Sequence, residues 1–87
     1  MENNQAQTDL TTNLTIAAYV RAQKTILRLL EDHGGQMTRR DIQRAMTYLR
    51  LQDLEDVLES LLEQEWIKEV RLLDRGLLRQ GYRRLSS

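Results

Sequence analysis

The run LQDLEDVLESLLEQEWIKEVRLL, Leu51 to Leu73, carries two periods in succession. Leu54, Val57, Leu58, Leu61 and Leu62 fall at i, i+3, i+4, i+7 and i+8, so all five share one face of a helix. From Trp66 the period changes to two. Trp66, Lys68, Val70 and Leu72 alternate with Ile67, Glu69 and Arg71, the pattern of a strand. A helix that runs almost directly into a strand leaves two apolar faces to be covered. The rest of the chain is therefore read as its packing partner.

Working backwards, Thr38 precedes Arg39-Arg40-Asp41, a T-x-x-D variant of the capping box, and predicts a second helix. That helix is expected to bury Ile42, Ala45, Met46 and Leu49, and to expose Arg39, Arg40, Gln43 and Arg44. Thr47 to Leu51 is the expected turn into the Leu54 helix. Gln36-Met37-Thr38 reads as a short extended link after Gly34-Gly35. Before it, Ile16, Tyr19, Val20, Ile26, Leu27 and Leu30 form a helical stripe interrupted at Gln23. This first helix is expected from Asn13, capped by Thr12 or Asn13, to His33, where Gly34 can take the left-handed conformation that stops a helix. His33 reads as a last-turn residue favoured by the helix dipole. Residues 1–12 read as a flexible tail and 13–87 as a single domain.

Working forwards, the strand is expected to end at Leu72. Gly76 and Gly81 together suggest a hairpin loop longer than the tight two-residue type, with Tyr82–Leu85 as the return strand. Trp66 reads as an aromatic of the core or of the hairpin root. The expected class is α+β, mainly helical, with three helices and a C-terminal β-hairpin.

Several functions are disfavoured by composition. The chain has 87 residues, no cysteine and one histidine, His33. Thiolate and His-cluster metal sites and a His-based triad are therefore not expected. There is no phosphate-binding Gly-rich loop and no nucleophile elbow, so the reading is non-enzymatic, with no cofactor and no small-molecule substrate. No apolar run approaches the roughly 20 residues that span a bilayer. With no signal-like start, a cytoplasmic location and no membrane partner are expected.

The formal net charge is zero, but it is segregated. Residues 36–50 hold four arginines and Asp41. Residues 51–70 hold seven acidic groups and Lys68. Residues 71–87 hold five arginines and Asp74. Such segregation bears on partners more than the total does.

The order helix, short extended segment, helix, helix, strand, strand resembles a winged helix-turn-helix domain over about residues 23–85. The segment from Ile26 to Gly35 is similar to a first helix ending in glycine. The segment from Met37 to Ala45 resembles the start of the second helix, and Leu54 to Ile67 resembles a third helix entering the wing. Gly81 to Leu85 resembles the second wing strand. Within the superfamily the chain is most like the winged-helix segments of plasmid- and phage-type replication proteins, primases or helicases. One departure is Glu65, where the family often has glycine, so the helix exit is expected to run longer or close differently.

The resemblance implies a DNA-binding module of replication or transcription, although fold alone does not settle function. Guanidinium groups suit phosphates, and Arg39, Arg40, Arg44, Arg75, Arg79 and Arg83 are the expected backbone contacts. Tyr48, Arg50 and Gln52 are the expected base-edge contacts if the start of the third helix approaches DNA. Against groove docking of that helix stand Glu55, Asp56, Glu59 and Glu63 opposite its leucines. A carboxylate about 4 Å from a phosphate is disfavoured by roughly 1 kcal/mol even at the dielectric of water. The alternative is a protein-interaction module in which these four acids face a basic partner. In that reading the long first helix, with Leu10, Leu14, Ile16, Tyr19 and Val20, packs on a second copy as a homodimer, or folds back over its own wing.

Overall fold

The structure is a computed structural model, described here for residues 14–85. Three helices and a three-stranded antiparallel sheet follow in the order α1 (Ile16–Asp32), β1 (Gln36–Thr38), α2 (Arg39–Ala45), α3 (Leu51–Glu63), β2 (Ile67–Asp74) and β3 (Leu77–Arg84). The sheet order is β1-β3-β2. The sequence reading of an α+β chain with a C-terminal hairpin holds at this level. The flexible tail expected over residues 1–12, and Leu10 within it, lie outside the described residues.

Apolar spacing sets the core. Leu54, Val57, Leu58 and Leu61 of α3 are buried, and Leu62 packs at their margin. Ala22, Ile26 and Leu30 of α1, Ile42 and Met46 around α2, and Met37, Ile67 and Tyr82 of the sheet complete the cluster. The interruption at Gln23 has a physical cause: its Nε2 donates to Ser60 Oγ at 2.9 Å, tying α1 to α3 through their seam. Ala45, expected inside, is exposed, because the short α2 turns only Ile42 fully inward before Met46 closes its end.

Helix ends follow capping chemistry. Thr38 Oγ1 accepts from Asp41 N at 3.1 Å, as the T-x-x-D signal suggested. The start of α1 differs from the expectation. Leu14 and Thr15 are not helical, and Thr15 is the N-cap, its Oγ1 accepting from Ala18 N. At the other end Gly34 and Gly35 both have positive φ, and Gly35 N reaches Leu30 O while Gly34 N reaches Glu31 O. This pair of bonds is a Schellman closure. His33 Nδ1 lies 2.8 Å from Leu29 O, in keeping with a last-turn role.

The exit of α3 uses the same geometry without glycine. Trp66 N donates to Leu61 O and Glu65 N to Leu62 O, each at 3.0 Å, with Glu65 at φ 61°. The departure from glycine thus leaves the closure intact and places its cost on Glu65, since a left-handed conformation costs an L-residue roughly 1–2 kcal/mol.

The hairpin corrects three expectations. β2 runs to Asp74, two residues past the expected end, and starts at Ile67. The connection is a tight two-residue turn, Arg75-Gly76, with positive φ at both, the pattern of a type I′ turn. β3 begins at Leu77, so the segment read as loop is strand and Gly81 lies inside it. Gly81 answers to space, not turning. A Cβ there would stand 2.7 Å from Met37 O and 2.6 Å from Leu72 Cδ1. Finally, the Gln36–Thr38 link is a true strand, pairing Gln36 with Arg83, Met37 with Tyr82 and Thr38 with Gly81.

Two outcomes follow for thermal unfolding. Glu65→Gly should raise stability by about 1 kcal/mol by relieving the left-handed strain, which for a chain of this size moves the midpoint up by roughly 4–8 °C. Gly81→Ala should lower stability by about 1–3 kcal/mol, because Met37 O is backbone and cannot swing away.

Candidate functional site

Two of the sequence-selected groups, separate in the chain, are brought together by the fold. Arg40 and Arg44 lie a turn apart on α2, and Arg75 and Arg79 lie at and beside the hairpin turn. Together with Asp41 and Asp74 they line one polar cleft of about 250 Å³. Four guanidinium groups against two carboxylates leave the cleft with positive charge in excess. Arg40, Arg44 and Arg75 are exposed and Arg79 is half-buried.

The arginines are not equivalent. Arg79 Nε lies 3.1 Å from Asp74 Oδ2, and that buried Nε–H makes no hydrogen bond. Asp74 therefore holds Arg79 electrostatically without satisfying its fork. Arg83 is exposed, and its Nε donates to Gln36 Oε1 at 3.1 Å across the β1–β3 pair. Arg84, on the opposite strand face, donates from Nε to Glu31 Oε2 at 2.9 Å and stands 5.6 Å over the Trp66 ring. That contact fixes Trp66 at the hairpin root, where it stays 46% exposed instead of entering the core.

Arg39 leaves the group. Its Nη2 donates to Glu55 Oε2 at 2.7 Å and its Nη1 to Tyr82 Oη at 3.4 Å, and it is half-buried rather than exposed. This guanidinium is directed at α3 and the sheet. Of the expected base-edge residues, Tyr48 and Arg50 are exposed in the α2–α3 connection and Gln52 is exposed in the first turn of α3. None of the three lines the arginine cleft.

The acidic residues of α3 also divide. Glu55 is engaged with Arg39. Asp56, Glu59 and Glu63 follow at i, i+3 and i+7, a line along α3 in which Glu59 and Glu63 are exposed. Asp56 is half-buried there, its backbone carbonyl accepting from Tyr19 Oη at 3.2 Å, so it does not sit on the open outer face that its position suggested. Against Asp56 lies an apolar cleft of about 360 Å³, lined also by Leu14, Thr15, Ile16 and Tyr19.

Sequence reasoning passed over the carboxylates of the arginine cleft, Asp41 and Asp74, and the exposed leucines of the hairpin. It also passed over Asp53, buried in the first turn of α3, where a carboxylate complements the helix dipole. Its position three after the N-cap was the available signal.

No group of His, Cys, Asp and Glu suited to a metal ion occurs among the described residues, and no helix among them is long and apolar enough to cross a membrane. Compared with known proteins, the chain matches no family model, no curated protein and no solved structure.

The Arg39–Glu55 pair is open to a direct measurement. A double-mutant cycle with alanine at each position should give a coupling of about 0.2–1 kcal/mol, because Glu55 remains largely solvated. A coupling near zero would mean that Arg39 is free to serve another surface.

Proposed function

We propose that this chain is a non-enzymatic, cytoplasmic winged helix-turn-helix module that binds DNA through its phosphate backbone, as an accessory of replication or transcription. The order α1-β1-α2-α3-β2-β3 supports the winged-helix reading, with the β2–β3 hairpin as the wing. The observation that carries the DNA reading is the convergence of Arg40, Arg44, Arg75 and Arg79 on one open cleft.

The physics of such a contact is plain. Each guanidinium donates two parallel N–H groups to phosphate oxygens, and each neutralised phosphate releases condensed counterions. Asp74 holds Arg79 in place, and Asp41 and Asp74 together reduce the excess. Arg83 extends the basic surface, since it lies on the same strand face as Arg79. Arg39 contributes less, being committed to Glu55. The third helix stays out of the groove, because Glu59 and Glu63 are exposed along it and repel phosphate. Tyr48, Arg50 and Gln52, near its start, are the part of that region able to reach base edges.

Titration of random-sequence duplex DNA at several salt concentrations tests this reading. Arg40→Ala, Arg44→Ala and Arg75→Ala should each weaken binding and lower the slope of log affinity against log salt by about 0.9. Arg39→Ala should lower it less. Unchanged affinity in the three cleft variants overturns the proposal.

A further inference from the structure

The hairpin carries more apolar surface than a phosphate contact requires. Leu73, Leu77 and Leu78 are 74%, 58% and 63% exposed, all within four residues of the turn. Leu73 and Leu78 face each other across the β2–β3 ladder, and Leu77 pairs with Asp74 on the opposite face. Solvated leucines scattered singly are ordinary, but Leu73 and Leu78 side by side on one face, with Leu77 next to the turn, make an apolar hairpin tip. Arg71 and Arg75 are exposed beside them, so the tip is both apolar and basic.

Elsewhere the same chain holds the opposite combination. The cleft of Leu14, Ile16 and Tyr19 is apolar, and Ile16 is 85% exposed at its rim. Asp56 forms its α3 edge, and Glu59 and Glu63 are exposed further along the same helix. One surface offers leucines with arginines, the other an apolar cleft with carboxylates. We infer that the β2–β3 hairpin of one copy docks on the α1–α3 face of a second copy, its leucines in the apolar cleft and its arginines on the α3 carboxylates.

Charge selects this occupant over the others. Hairpin against hairpin would set Arg71, Arg75 and Arg79 against their own copies, which like-charge repulsion disfavours. An anionic lipid surface would satisfy the hairpin but leave the α3 carboxylates and the apolar cleft unused. A second copy matches both surfaces at once, in a chain whose total charge is zero. The contact joins two different surfaces, so it is heterologous. It closes into a reciprocal pair or continues as a chain according to the angle between them.

Sedimentation of the full chain over a range of concentrations provides the test, with circular dichroism confirming that each variant stays folded. The native chain should self-associate at low ionic strength and dissociate in about 1 M salt, where the screening length falls to about 3 Å. The hairpin variant Leu73→Ser/Leu78→Ser and the helix variant Glu59→Lys/Glu63→Lys should each associate about tenfold or more weakly. The two mixed together should recover a one-to-one complex, because one supplies an intact cleft and the other an intact hairpin. A native chain that stays monomeric at all concentrations overturns the inference, as does a mixture that fails to recombine. Binding of the monomeric native chain to anionic phospholipid vesicles, lost in the hairpin variant, would assign the leucines to a membrane and overturn it as well. DNA is absent from all of these measurements, so failure here leaves the arginine-cleft reading standing.

Discussion

The carbonyl of Leu61 accepts the amide of Trp66, and the architecture turns on that bond. It ends α3 while the leucine face is still complete and reverses the chain at once, so that Ile67 returns to the core the helix has just filled. With Ile67 placed there, β2 must leave along the flank of α3. β3 must then come back between β2 and β1 to bury Tyr82 against Met37. The left-handed conformation at Glu65 is the condition for this closure. Its cost is borne because the alternative, a longer helix, would strip Ile67 from the core.

The second governing constraint is charge. A neutral chain could have interleaved its signs and spent them in local pairs. Here they are sorted by element, and only some arginines are neutralised by neighbours: Arg39 by Glu55, Arg84 by Glu31, and Arg79 in part by Asp74. Those partners all come from another element or the opposing strand. Structure thus decides which cations remain available: it leaves Arg40, Arg44 and Arg75 exposed while engaging Arg39 and Arg84.

How far the sequence foretold this depends on whether one residue type had one cause. The leucine spacing of α3, the Thr38 cap and the Gly34 stop each had one physical meaning, and each reads through to the structure. Glycine in the hairpin had two. Gly76 turns the chain and Gly81 admits a neighbouring carbonyl, and treating both as turn signals turned the β3 residues Leu77 to Gly81 into loop. β1 was hidden for a related reason. Three residues carry no period of their own, and their partner lay in the misread segment. For the site, residue type pointed to the arginines as a class. The loss of Arg39 to Glu55, sixteen positions away, and the shift of Asp56 toward Tyr19 depend on packing angles that no local pattern encodes.

The shortness of β1 has a consequence for motion. It pairs only with Thr38-facing Gly81 through Arg83, so from Leu77 to Gln80 β3 is held by β2 alone. Two strands without a third are marginal in water. Opening of the distal hairpin is therefore a sub-global event of low free energy, while the root, locked by Tyr82 and Ile67, opens only with the whole domain. Amide exchange should divide at Gly81, with the fast side bearing Arg75 and the exposed leucines. Arg75 and the exposed leucines thus sit on an element free to change its twist without disturbing the core.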